Sequence, residues 1–255
     1  MCTVLLRFDP TAVWPVVLGA IRDEFVERTW DPPARHWVGV GAGRWARFVG
    51  GRDHTAGGTW LAVDASPERP AVAAVLNGRP QDREAELDPS IVRPTRGELV
   101  LRLLAGDGVP SGAALAPYAR FHLVLATPAR CELWSWDLAE LTHTVLAGPH
   151  HLVVNDGLDA ADDPMVPHVA PLLAATAEPD PARSGVAGWG GWPALLAGDG
   201  TPGDDPRALL VDKDIEGHAY GSTSGALVAL TADGRVRYDF TASPADPVSW
   251  RSVPL

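Results

Sequence analysis

Lysine is nearly missing from this 255-residue chain. Lys213 is the only one, and the rest of the 21 cationic side chains are arginines. Cysteine is scarce too, at two residues, Cys2 and Cys131. Two thiols cannot staple a disulfide scaffold or build a cysteine-rich zinc module. Positive charge is short overall, with 21 Lys and Arg against 32 Asp and Glu and a formal net charge of -11. A nucleic-acid binder needs a basic face to gather phosphates, so the balance argues against that class. No apolar run reaches the about eighteen residues of a membrane-spanning helix. The first twenty residues carry charges and prolines instead of a clean apolar stretch, so they are not read as a signal peptide, and the chain is expected to be cytoplasmic. Gly39 to Gly43 lacks the spacing of a dinucleotide loop. The polar residues His150, His151, Asp162, Asp163 and His168 lack a metalloprotease spacing. Neither metal nor cofactor is expected.

What is present reads as one ordinary globular domain: 46% apolar residues, 21% charged, with 26 glycines and 24 prolines as punctuation. The arginine, alanine, glycine and proline bias fits coding drift in a GC-rich bacterial genome. Short apolar runs between turn residues predict strands at Thr3–Phe8, Val16–Ile21, Trp45–Val49, Thr59–Val63 and Ala71–Leu76. Leu99, Val100, Leu103 and Leu104 recur at helical spacing, so Arg96–Ala105 predicts a helix, and Ala113–Tyr118 is read as extending a helical hairpin. Strands return at Phe121–Ala126, Cys131–Trp136, Thr142–Leu146 and His151–Val154, and Val166–Ala177 reads as a helix. The Pro- and Gly-rich stretch around 178–214 reads as an irregular insertion with one helical turn near Pro193–Ala197. Two runs around Asp233-Gly234 close the chain as a hairpin. Strands then helices, with strands apolar on both faces, indicate an α+β fold with a two-sheet core covered by helices.

Three features carry chemistry. Cys2 follows the initiator methionine, whose removal is common before a small residue. Removal would place a thiol and an α-amine on one residue, and the two titrate near ~8.5 and ~8, so the amine can take the thiol proton. Arg22-Asp23-Glu24 ends a buried-looking strand, where charges must be paired or used. Asp23 would lie near the amine if the first two strands pair. Asn77 and Asn155 each end an apolar run, where a side-chain amide can serve a developing oxyanion or a turn.

These residues occur in order with further motifs: Met1-Cys2-Thr3, Arg22-Asp23-Glu24-Phe25, Gly51-Arg52-Asp53, Gly57-Gly58-Thr59-Trp60-Leu61 and Arg96-Gly97-Glu98-Leu99. Val153-Val154-Asn155-Asp156-Gly157 and Tyr220-Gly221-Ser222-Thr223 follow. The set resembles the NRDE family, also called the transport and Golgi organization family, over nearly the whole chain. The resemblance implies a four-layer αββα sandwich of the N-terminal-nucleophile (Ntn) hydrolase type. It implies hydrolysis or acyl transfer at a small linear amide or related acyl group, that is, at non-peptide C–N bonds. Cys2 would be the nucleophile and its freed amine the base. Arg22 and Asp23 would hold amine and substrate, Asn77 and Asn155 would position the amine or the oxyanion, and Trp60 and Tyr220 would touch substrate. The chain departs from the pattern at Ile21, where the family has asparagine, and at Thr223, where it has arginine. The rival reading is a non-catalytic carrier of haem, acyl-CoA or another amphipathic ligand on the same fold.

Overall fold

The computed structural model describes residues 2–79 and 93–255, so Met1 of the first motif lies outside the described residues. The first sheet takes β1 (Cys2–Phe8), β2 (Val16–Phe25), β10 (His150–Val154), β11 (Gly157–Leu158), β12 (Asp212–Ile215), β13 (His218–Leu230), β14 (Val236–Thr241) and β15 (Arg251–Ser252). Its order is β11-β10-β1-β2-β13-β14-β15, with β12 paired to β13. The second sheet runs in chain order through β3 (Trp30–Ala34), β4 (Val49–Asp53), β5 (Leu61–Asp64), β6 (Ala71–Asn77), β7 (Phe121–Thr127), β8 (Arg130–Trp136) and β9 (Leu141–Val145). Its neighbours, like those of the first sheet, pair antiparallel, as hairpin connections require. Three helices are described: α1 (Gly97–Leu104), α2 (Met165–Ala175) and the short α3 (Trp192–Leu196).

Side-chain alternation explains why these strands are apolar on both faces. On β1 and β2, Val4, Leu6, Val16, Leu18 and Ala20 face the second sheet and meet Val49, Leu61, Val72, Leu76 and Val124. The opposite set, Leu5, Val17 and Ile21, packs under α2 through Val166, Val169 and Leu173, and under Trp189, Trp192 and Leu196 of the segment around α3. On the far side of the second sheet, Ala62, Ala73, Val75, Phe121 and Leu123 lie against Leu99, Val100, Leu103 and Leu104 of α1. The mixed helix and sheet content is thus an α+β arrangement of two sheets with apolar layers between and outside them. No helix among the described residues is long and apolar enough to cross a membrane.

The sequence expectations fail at three places. Trp45–Val49 is a succession of turns, with Ala46 N–H bonded to the Gly43 carbonyl and Phe48 N–H to that of Trp45; β4 begins only at Val49. Ala113–Tyr118 makes one 3-10 turn at Gly112–Ala114 rather than a second helix. β12 begins inside the stretch read as an irregular insertion, and the first half of β13 lies in residues for which the sequence predicted no element, because their outward-facing polar side chains mask the strand period. In the 178–214 stretch the tryptophans are core: Trp189 and Trp192 are fully buried, and the Arg237 guanidinium caps the Trp189 ring at 4.2 Å.

Candidate active site

Strand ends from both sheets meet at one corner. Cys2 opens β1 and pairs across the ladder with Arg22 of β2; Asn155 follows β10, the other neighbour of β1; Asn77 ends β6 of the second sheet. Alternation puts Cys2 on the Val4 and Leu6 side, facing the second sheet. The thiol is half-buried, and burial pushes it up from the ordinary thiol value. The Cys2 backbone nitrogen donates to Asn155 Oδ1 at 3.2 Å, and Sγ lies 4.0 Å from the Asp23 carbonyl oxygen.

The two asparagines of the chain are tied together here. The Asn155 side-chain nitrogen donates to the Asn77 carbonyl, so its partners fix which end of the amide is oxygen. The Asn155 carbonyl accepts the Arg79 N–H at 2.8 Å and lies 3.2 Å from His122 Nε2, whose other ring nitrogen is 2.8 Å from the Ser135 hydroxyl. Burial lowers the His122 pKa, which favours a neutral ring donating from Nε2. Asn155 is therefore a clamp between the sheets, with both ends of its amide in use. The Asn77 side chain is exposed and lines the cleft in front of Cys2.

Asp23 lies beside this clamp, buried. Its Oδ1 accepts the Ser222 hydroxyl at 2.5 Å, and its carbonyl accepts the Tyr220 hydroxyl at 3.0 Å. Burial raises its carboxyl to about 7, against the Ser222 hydrogen bond and the charges of Lys213 and Arg22, which favour ionisation. A carboxyl titrates near ~3.9 in an unfolded chain, so between there and about 7 the native state holds the Asp23 proton more tightly. Stability from this group is complete below that window and is lost as pH rises through it. Asp23→Asn keeps the acceptor for Ser222 and removes the titration. Its thermal midpoint should gain on that of the wild type from pH 4 to 7 and hold the margin above. Midpoints that stay parallel across the range would contradict the burial effect.

Arg22 forms the floor. Buried at 5% exposure, it donates to Thr223 Oγ1 and to Asp53 Oδ2, each at 3.1 Å, and its guanidinium lies 4.6 Å over the Trp60 ring. Asp53 also accepts Arg28 at 2.7 and 3.0 Å and the Ala56 N–H at 2.8 Å. Burial alone would raise the Asp53 carboxyl; the hydrogen bonds and the Arg28 and Arg22 charges outweigh it and hold it below the usual range. Thr223 sits where the β13–β2 register slips between Ser222 and Ser224, and this bulge aims its hydroxyl at Arg22. Ile21 faces away from the site, in the layer under α2 and α3, so an apolar side chain there is packing.

The glycines of the motifs act through close approach. A Cβ on Gly51 would meet the Trp60 ring at 2.3 Å, and one on Gly58 would meet Gly97 backbone at 2.7 Å. Gly58 and Gly97 thus let the loop before β5 touch the start of α1, where Thr59 N–H bonds the Gly97 carbonyl. Backbone cannot yield as a flexible side chain does, so Gly58→Ala should cost about 1–3 kcal/mol in denaturant unfolding. A loss below about 0.5 kcal/mol would show that the contact relaxes freely. The resulting cleft has a volume of about 480 Å³, with Cys2, Arg22, Asp53, Trp60, Asn77 and Arg96 on its walls.

A model of the family described as Transport and Golgi organisation 2 matches residues 1–148, which carry Cys2, Arg22, Asp23, Asp53, Trp60 and Asn77. The chain belongs to the Transport and Golgi organisation 2 family. No curated protein matches it. The remaining site residues of this family member, Asn155 and the Ser222–Thr223 bulge, lie beyond the matched segment and reach the corner through β10 and β13.

Of the sequence-derived candidates, Cys2, Arg22, Asp23, Trp60 and Asn77 line the cleft; Asn155 bonds the Cys2 nitrogen from behind, and Tyr220 faces an adjoining pocket. Sequence reasoning missed Asp53, Ser222, Thr223, His122 and Lys213 as site residues. Asp53 stands in the motif Gly51-Arg52-Asp53, but nothing in that motif points to its cationic partners Arg22 and Arg28. The other polar candidates are separate pairs, His151 with Asp159 and His168 with Asp199, each at 2.7 Å. Cys131 is fully buried between the sheets, and burial pushes its thiol to about 12.

Proposed function

We propose that this protein is an amidohydrolase or acyltransferase of the Ntn type, with Cys2 as nucleophile, on an αββα sandwich. The observation that carries the reading is the hydrogen bond from the Cys2 nitrogen to Asn155 Oδ1 at the mouth of a cleft. Removal of Met1 turns that nitrogen into a primary amine, and a carboxamide oxygen already in place orients it toward its own thiol. An amine of pKa near ~8 can take the proton of a thiol whose ordinary value is near ~8.5; burial raises the Cys2 thiol and a nearby positive chain terminus opposes that rise, and attack by the thiolate on an amide carbonyl gives a tetrahedral oxyanion. The exposed amide of Asn77 lines the cleft, where it can donate to that oxyanion. Collapse breaks the C–N bond as the ammonium returns its proton to the leaving amine. The thioester left on Sγ is then cleaved by water, or by a second amine in transfer. Asn155, with both ends of its amide committed, positions the amine and leaves the oxyanion to Asn77. Apolar layers between the sheets and under the helices on both outer faces support the sandwich.

The test is release of p-nitroaniline from a panel of N-acyl p-nitroanilides, with an acyl-enzyme mass trapped at low pH. Release with the acyl group on Cys2 supports the reading. No release from any member, together with haem or acyl-CoA binding that survives Cys2→Ala, would replace it with the carrier.

A further inference from the structure

A second pocket, of about 670 Å³, opens beside the Cys2 cleft and shares Asn77, Arg93, Arg96 and Ala119 with it. Asn155, the clamp on the Cys2 nitrogen, and Tyr220, bonded to the Asp23 carbonyl, both line it. The two spaces thus share the wall that carries Asn77, the residue standing in front of Cys2. Their linings differ in charge. The Cys2 cleft balances Arg22 and Arg28 against Asp53 and Glu24. The second pocket is lined by Arg79, Arg93, Arg96 and Lys213, with no carboxylate among its described lining residues. That is notable in a chain of net charge -11, and it uses the only lysine the chain has.

Not all four charges are available. Arg79 is neutralised by Asp156 at 2.5 Å and by Asp163 at 3.7 Å. Arg96 spends Nη1 on the Arg120 carbonyl at 2.9 Å, which keeps its side chain in place on the wall. Arg93 and Lys213 make no ion pair with a described carboxylate within 4.0 Å, although Lys213 is close enough to Asp23 to favour its ionised form. The same lining has an apolar part: Phe25 and Tyr220 stand edge to face with ring centroids 5.1 Å apart. A short apolar segment followed by an anion is what such a wall complements.

Resting on the acyl-transfer reading, we propose that this pocket takes the acyl arm of the substrate, and that the arm ends in an anion held by Lys213 and Arg93. The substrate class would be an amide of a short dicarboxylic or phosphate-bearing acid, its apolar methylenes lying against Phe25 and Tyr220.

The test separates binding from turnover. Glutarate, propyl phosphate and the uncharged glutaramide are titrated calorimetrically into the full chain carrying Cys2→Ala, which needs no catalysis. At least one anion should bind about tenfold tighter than glutaramide, the value of one charge-assisted contact, and the tighter anion names the group. Lys213→Met and Arg93→Gln should each remove most of that preference; both keep side-chain bulk at accessible positions, and a circular dichroism spectrum checks their folding. In the wild type, kcat/KM for glutaryl p-nitroanilide should exceed that for the butyryl analogue, and the ratio should fall in both variants. Equal affinity for the three probes, or a preference untouched by both substitutions, overturns the inference even where anilides are hydrolysed. A charge preference that depends on Lys213 and Arg93, with no anilide cleaved, keeps this pocket and discards the chemistry instead.

Discussion

Cys2→Ala should abolish amide turnover, with a loss of at least about a thousandfold, because removing a covalent nucleophile removes the intermediate and not merely one contact with it. The fold should survive. Cys2 is a half-buried residue at the first position of β1, and its ladder partner Arg22 is held independently by Asp53 and Thr223. Loss of a small side chain at such a position should change stability by less than about 1 kcal/mol. The same substitution leaves the backbone nitrogen and its Asn155 partner in place, so it isolates the sulfur from the amine. Turnover within tenfold of the wild type, at unchanged stability, would remove Cys2 from the chemistry.

The largest stability effect is expected at Asp53. Arg22 is nearly fully buried, and Asp53 is the carboxylate within hydrogen-bonding distance of it; Glu24 stands off at 3.6 Å. Deleting one partner of a buried pair leaves the other charge desolvated and uncompensated, which costs about 3–5 kcal/mol. Asp53→Ala also takes two hydrogen bonds from Arg28, which keeps only Glu24 at 3.6 Å, and the acceptor of the Ala56 N–H, so denaturant unfolding should place it toward the upper end of that range. Asp107 provides the comparison. Its partner Arg44 is more than half exposed, and Asp107→Ala should cost less than about 1 kcal/mol. The native Asp53 carboxyl lies below the unfolded value, so its stabilisation is complete above the unfolded pKa and lost as pH falls through the folded one. The difference between wild type and Asp53→Ala should therefore shrink under acid. Equal losses at Asp53 and Asp107 would mean that the floor of the cleft is solvated.

Much of this corner was legible because its residues end apolar runs. Cys2, Asn77 and Asn155 mark places where a buried strand reaches the edge of the core, and antiparallel pairing brings such ends together. Arg22 and Asp23 were legible as charges that a buried strand cannot leave unpaired. The direction each one faces was not read: adjacent residues point to opposite sides, so Arg22 enters the cleft while Ile21 turns from it into the layer under the helices. Asp53, Ser222 and Thr223 were hidden because their partners lie 31, 199 and 201 residues away, across a sheet and through a bulge. Trp45–Val49 misled for a different reason. Its apolar side chains serve a chain of tight turns, where Trp45 lies over Gly41 and Phe48 enters the core. Composition alone cannot tell such a run from a strand.

The central claim is that a freed Cys2 amine works beside a reactive thiol, and intact mass tests it most directly. The purified chain is weighed before and after exposure to a β-lactam or another electrophilic amide, and the adduct is located by peptide mapping. The account predicts a mass short by one methionine and a single adduct on Cys2, with the buried Cys131 unmodified. A chain that keeps Met1 and takes no adduct on Cys2 would contradict it.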